Sequence, residues 1–236
     1  MWTERTELLV GKNGLEKLAA AHVIVAGVGG VGGYAAEMLV RAGVGHLTII
    51  DADTVSESNL NRQLLAMTST VGKLKTDVLS ARLLDINPSL DLKTVSEYLE
   101  PDTIPQQIGT DCDFLVDAID TLSPKLYLIK NCVDSGIPLV SSMGAGAKFD
   151  VTKVRIADIS KSFNCPLAYI VRKRLRHLGI SKGFKVVFSE EIPEASAIVP
   201  CEELNKKSMV GTISYIPAVF GCACAQVAIS SLLQNH

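Results

Sequence analysis

The sequence predicts an α/β fold, with a doubly wound, mostly parallel sheet and an antiparallel C-terminal extension. Three observations predict it. Apolar, β-branched runs such as His22-Val-Ile-Val-Ala26 lack polar alternation, as strands buried on both faces do. The stretches between such runs are long enough for a helix each, which keeps successive strands parallel. A G-x-G-x-x-G loop follows the first strand directly, where a phosphate-binding turn belongs.

The first strand ends at Gly27. Gly27, Gly29 and Gly32, with Gly30 between them, allow a tight turn and a close approach of backbone to phosphate. A helix over residues 31–42 presents its free N–H groups and positive dipole end to that anion. His46-Leu-Thr-Ile-Ile50 is the second strand. Asp51 closes it about 20 residues after the loop, where a carboxylate accepts ribose hydroxyls. Asp53 follows in the same turn. Glycines and Asp51 alone would fit a dinucleotide. Asn59, Arg62 and Lys75 lie beyond them, and the two positive charges match a more anionic ligand. That ligand is a nucleoside triphosphate with its α-phosphate open to attack.

Downstream, residues 74–86 read as a helix ended by Asn87-Pro88, and 92–95 as a short strand. Residues 101–108 read as a helix and 113–119 as a strand ending at Asp120. A helix over 124–135 is stopped by Gly136, and 138–142 form the next strand. After Gly144-Ala-Gly-Ala147 the character changes. Residues 154–157 and 184–188 alternate as antiparallel strands do. Residues 189–207 are rich in Glu, Pro and Ser and read as a mobile lid, and 215–233 as a buried terminal helix. Ligands of such a sheet sit at the carboxyl ends of its strands.

The string D-A-D-T-V-S-E-S-N-L-N-R-Q, with V-G-K-L-K-T around Lys75, resembles the ubiquitin-activating-enzyme superfamily. This ThiF/MoeB/HesA group includes the bacterial adenylating enzymes of molybdopterin and thiamine synthesis. R-T-E-L-L-V-G at residues 5–11 and D-A-I-D at 117–120 match two further motifs of the group. The resemblance implies a Rossmann-like adenylation domain in which a substrate carboxylate attacks the α-phosphate of ATP. Acyl-adenylate and pyrophosphate result. By position it implies that Asp51 binds the ribose and that Asn59, Arg62 and Lys75 hold the phosphates. It implies that Asp120 holds Mg²⁺ and that Arg5 is lent by the second subunit of a homodimer. Residues 1–145 would be the ATP-binding core and 146–236 the C-terminal part of the same domain.

The 236 residues are 47% hydrophobic, enough for one large domain with a substantial core. A net charge of −2 gives the molecule as a whole no pull toward membranes or nucleic acid. No apolar run reads as long enough for a membrane span, and Met1-Trp-Thr-Glu-Arg5 lacks a signal-peptide core, so a cytoplasmic location is expected. Six cysteines without a disulfide-like framework suit a reducing compartment. Many protein-activating relatives carry two C-x-x-C pairs for structural zinc. Here only C-A-C occurs, and Cys222 and Cys224 are expected to be buried small hydrophobes. Cys201, in a polar stretch after Pro200, has nothing near it in sequence to lower its pKa, so no catalytic thiol is expected.

One local charge asymmetry bears on the substrate. Residues 161–189 hold seven of the chain's 23 Lys and Arg and no acidic residue. Arg172, Lys173, Arg174 and Arg176 should form a basic helical ridge that attracts nucleic-acid phosphates. The S-F-N-C-P-L-A segment before it, the later V-V-F-S-E-E and the missing zinc cysteines resemble one branch of the superfamily. That branch dehydrates threonylcarbamoyladenosine in tRNA. The implied chemistry is activation of the threonyl carboxylate by ATP, then attack of the substrate's own carbamoyl group on the acyl carbon. The branch further implies a monovalent cation (Na⁺ or K⁺) and a sulfur-acceptor or cysteine-desulfurase partner, for which the sequence designates no residues. Two rivals remain. Adenylation of a ubiquitin-like sulfur-carrier C-terminus needs the same nucleotide residues but favours a zinc-braced platform. An NAD-dependent oxidoreductase would use the glycines and Asp51, but it leaves Arg62, Lys75 and Asp120 without a task.

Overall fold

Along the first strand, Val23 and Val25 enter one apolar cluster while Ile24 and Ala26 enter another. A strand buried on both faces lies inside a three-layer sandwich, and the computed structural model has that form. It describes residues 2–203 and 206–234, with side chains described outside 201–208. The strands in chain order are β1 (His22–Ala26), β2 (His46–Ile50), β3 (Asp91–Val95), β4 (Phe114–Asp117), β5 (Leu139–Ser142), β6 (Val154–Asp158) and β7 (Lys185–Ser189). They form one sheet in the order β3-β2-β1-β4-β5-β7-β6. Every neighbouring pair is parallel except β6–β7, where Val154 faces Ser189 and Asp158 faces Lys185. The doubly wound sheet with an antiparallel edge is thus as expected, although β7 itself also joins the parallel part.

Helices α1 (Glu4–Ala20), α2 (Gly32–Ala42), α3 (Lys75–Ile86) and α7 (Tyr215–Gln234) cover one face. Helices α4 (Ile104–Ile108), α5 (Leu122–Ser135) and α6 (Pro166–His177) cover the other. From β1 the chain winds one way to β2 and β3, then returns to the other side for β4 and β5. The order reverses between β1 and β4, and a crevice opens there at the carboxyl ends of the strands.

Three expectations need correction, and one element is additional. Helix α1 was not foreseen; it is interrupted at Gly11 (φ 76°) and held by Leu18 in the core and by Gly14 against Leu233. The stretch read as an irregular lid instead holds a two-stranded antiparallel ribbon, β8 (Ile198–Glu203) with β9 (Lys206–Val210), pairing Ile198 with Val210. Its base is tied down, because Gly211 N donates to Ala197 O and Ala147 N to Gly211 O. Helix α7 has, contrary to expectation, the length and apolarity of a membrane span. Its packing is that of a core helix: Ile216, Phe220, Cys224 and Ala228 are fully buried, and it lies against α2, β4 and β5. Finally, Cys222 is exposed and only Cys224 is buried, since residues two apart on a helix point to different sides.

Candidate active site

The glycine loop is built at the end of β1. Gly27 has φ +83°, and a Cβ there would stand 2.9 Å from Ala118 O, so no other residue makes this turn. Gly27 N donates to Ile50 O, which ties the loop to β2. A Cβ on Gly32 would lie 1.8 Å from Gly27 O, and its absence lets α2 start immediately behind the turn. No side chain caps α2; Gly33 N bonds Gly29 O at 3.1 Å, and the positive end of the helix dipole faces the loop.

Asp51 is locked to this loop. Its Oδ2 accepts Val28 N at 2.8 Å and its Oδ1 accepts Asp53 N at 2.9 Å. Burial pushes its carboxyl above the ordinary value, an effect that the Lys75 charge and the two amides offset only in part. Lys75, at the first position of α3 and itself buried, bonds Asp53 Oδ2 at 2.7 Å and approaches Asp51 Oδ1 at 3.9 Å. Asp53 is half-exposed. The ammonium is therefore held at the loop by one fixed and one water-facing carboxylate.

Arg62 lies alongside the glycines. Its Cγ is 3.6 Å from where a Cβ on Gly30 would be, and Nη1 donates to Ser58 O and Asn61 Oδ1. Asn61 in turn donates to Thr212 O, just past the β8–β9 hairpin, so the hairpin base is bonded to the nucleotide crevice. Asn59 is buried, with Oδ1 accepting Ser56 N, and so it shapes the turn that carries Arg62. Asp120 is exposed just beyond β4, in the turn whose Ala118 abuts Gly27. The fold thus brings Gly27, Gly29, Gly30, Gly32, Asp51, Asp53, Asn59, Arg62, Lys75 and the 118–120 turn to one crevice.

Arg5 and the basic ridge are elsewhere. Arg5 is exposed in the first turn of α1, and the neighbouring Thr3 packs by Gly43, at the amino ends of the strands and away from the glycine loop. On α6, Tyr169, Arg172, Lys173, Arg176 and His177 line a shallow groove of about 380 Å³. Lys173, Arg174 and Arg176 are exposed, with Arg174 off the groove face. Arg172 is partly buried and its guanidinium bonds the carbonyl and hydroxyl of Ser162, which gives it a structural task the sequence did not disclose.

Sequence reasoning missed two features. Gln63, next to Arg62, is buried beside Gly29 with its Oε1 lacking a hydrogen-bond partner; only its place in N-L-N-R-Q hinted at a role. Asp117 and Lys125 form a wholly buried ion pair below the 118–120 turn, with Ser141 as third member. Of the cysteines, burial pushes the Cys112 thiol up to about 11 and Cys224 up to about 12, so both stay neutral. The Cys201 side chain lies outside the described residues.

A glycine turn, a helix N-terminus, a lysine between two aspartates and an arginine, set at the switch point of a parallel sheet, define a nucleotide-binding α/β protein. The chain belongs to the ThiF family, whose model matches residues 4–236. It is similar to the tRNA threonylcarbamoyladenosine dehydratase of Bacillus subtilis, 41% identical over 98% of this chain and 94% of that protein. The crystal structure of E. coli tRNA N6-threonylcarbamoyladenosine dehydratase in complex with ATP aligns with a TM-score of 0.90 at 34% identity, covering 98% of this chain and 93% of that one. The molybdopterin-synthase adenylyltransferase of Salmonella typhimurium is 34% identical over only 64% of this chain and 61% of that protein.

Proposed function

We propose that the chain is an ATP-dependent dehydratase that cyclises threonylcarbamoyladenosine in tRNA through a carboxyl-adenylate. The observation that carries this reading is full-length similarity to enzymes of that name, where the carrier-activating relative matches about two thirds of the chain. ATP lies with its phosphates on the glycine loop and α2, its ribose toward Asp51, and Arg62 and Lys75 around the α-phosphate. The threonyl carboxylate attacks the α-phosphorus and the bond to pyrophosphate breaks. The carbamoyl group of the same nucleoside then attacks the acyl carbon, loses its proton and expels AMP. Arg62 and Lys75 stabilise the charge on the α-phosphate, and the crevice positions the two reacting groups. No protein nucleophile is needed.

Asp120 is the residue to hold Mg²⁺. Among the described residues no cluster of three or more His, Cys, Asp or Glu could chelate a metal alone, so one carboxylate shared with phosphate oxygens is the fitting mode. When bound, the ion neutralises phosphate charge. Lys173, Arg174 and Arg176 attract tRNA phosphates. Arg5 serves the partner of a homodimer: it is remote from its own crevice and is followed by Leu8 and Leu9, more than 80% exposed, an apolar pair suited to a second copy. ATP–pyrophosphate exchange tests the reading. Stimulation by tRNA carrying threonylcarbamoyladenosine is expected, and stimulation by a ubiquitin-like carrier protein instead would overturn it.

A further inference from the structure

Asp117, Lys125 and Ser141 are fully buried, and the chemistry above uses none of them. Lys125 Nζ lies 2.6 Å from Asp117 Oδ2 and 3.1 Å from Ser141 Oγ, and Ser141 donates to the same Asp117 oxygen. An ion pair withdrawn from water in this way gains little stability over apolar side chains of similar volume. Lys125 also sits near the start of α5, where the helix dipole disfavours a cation. Stability is a poor reason for the pair, and its geometry offers a better one. The other Asp117 oxygen accepts Ile119 N at 3.1 Å. Ala118 N donates to Ala26 O at 2.8 Å, and a Cβ on Gly27 would stand 3.2 Å from Ile119 N. The turn before Asp120 is wedged between the glycine loop and the buried carboxylate.

We propose that Lys125 is a positioning residue for the nucleotide site. By clamping Asp117 it fixes the 118–120 turn against the glycine loop, and so sets where the Asp120 carboxylate meets the metal-bound phosphates. The proposal rests on the reading of Asp120 as the Mg²⁺ carboxylate. Its effect is on geometry, transmitted through Asp117 and the Ile119 amide, and Lys125 itself touches no substrate.

Calorimetric titration of ATP, once with Mg²⁺ and once with EDTA, reads the claim. The variant Asp117→Val/Lys125→Met/Ser141→Ala replaces the whole network by apolar groups and is expected to fold, because relief of the buried charges offsets the lost acceptor of the Ile119 amide. Its ATP affinity in EDTA should be unchanged, while the gain in affinity that Mg²⁺ confers falls by about 10- to 100-fold. A folded triple variant with the wild-type gain overturns the proposal. Should it not fold, Asp117→Asn/Lys125→Met takes its place, since it keeps an acceptor for Ile119 and removes only the clamp. A loss of about threefold or more in the gain then supports the proposal, and an unchanged gain overturns it. Asp120→Ala, titrated in parallel, separates the two readings. If it keeps the gain, Asp120 is not the metal carboxylate and both readings fall. If it loses the gain while the folded network variant does not, only the Lys125 proposal falls.

Discussion

Lys75 Nζ lies 2.7 Å from Asp53 Oδ2 and 3.9 Å from Asp51 Oδ1, so one buried ammonium spans two carboxylates beside the glycine loop. The two differ in what they can give up. Asp51 is fixed by the amides of Val28 and Asp53, whereas Asp53 is half in water. In the proposed function a bound triphosphate would draw the ammonium from Asp53 and leave Asp51 in place.

Lys75→Ala and Arg62→Ala are each expected to lower turnover about 100- to 1000-fold, the effect of removing one donor to developing charge. Both proteins should remain folded, because Asp53 and the carbonyl of Ser58 can be hydrated in their absence. Steady-state rates beside thermal melts check this. Near-normal turnover in either folded variant would remove that residue from the chemistry.

Glu37 joins α2 to α3, accepting Arg82 Nε at 2.6 Å and Arg41 Nε at 2.8 Å. Burial acts to raise its carboxyl, but the two guanidiniums together hold it below the ordinary value. A depressed carboxyl stabilises the fold above its unfolded pKa, and that contribution is lost as the pH falls through the folded value. Glu37→Gln should therefore lower stability at neutral pH by about 1–3 kcal/mol. The gap between wild type and variant should close as melts are taken to lower pH through the carboxylate range. A gap that stays constant would assign the effect to packing.

Much of this architecture is legible in the chain itself. Runs such as His22-Val-Ile-Val-Ala26 declare a two-sided sheet, and the glycine loop with Asp51 declares the crevice. What escapes is set by contacts distant in sequence. Lys125 reads as a solvated helix residue and becomes buried only because Asp117 and Ser141 face it from two strands. Helix α1 carries two glycines and little apolar patterning, and its packing partner α7 lies at the other end of the chain. Pro200 disguises the β8–β9 hairpin, since proline speaks against a strand unless the strand is an edge, and in a two-stranded ribbon both are.

Mixing tests the role of Arg5 across a dimer. Arg5→Ala and Lys75→Ala proteins, each inactive, should regain part of the activity when combined, because some mixed dimers carry one intact site. Subunit exchange followed by mass-resolved assay checks it. Heterodimers that form without any rescue would confine Arg5 to its own protomer.

Lys173→Glu/Arg176→Glu reverses the two exposed ridge cations that line the α6 groove. Affinity for tRNA should fall, and the slope of log affinity against log salt should flatten by about 0.7–0.9 per lost contact. Affinity for ATP should not change. An unaltered slope would leave the ridge a solvated helix face, and Arg172, bonded to Ser162, is not expected to add to it.

The reaction proposed for this chain removes water from a modified nucleoside at the expense of ATP. Purified protein, Mg²⁺ and ATP are incubated with tRNA carrying threonylcarbamoyladenosine, and the nucleosides and nucleotides are then resolved by mass spectrometry. The expected result is a nucleoside lighter by one water, formed one-for-one with AMP and pyrophosphate and about 100- to 1000-fold more slowly with Lys75→Ala. An unchanged nucleoside, with ATP instead consumed to adenylate the C-terminus of a carrier protein added alongside, would contradict it.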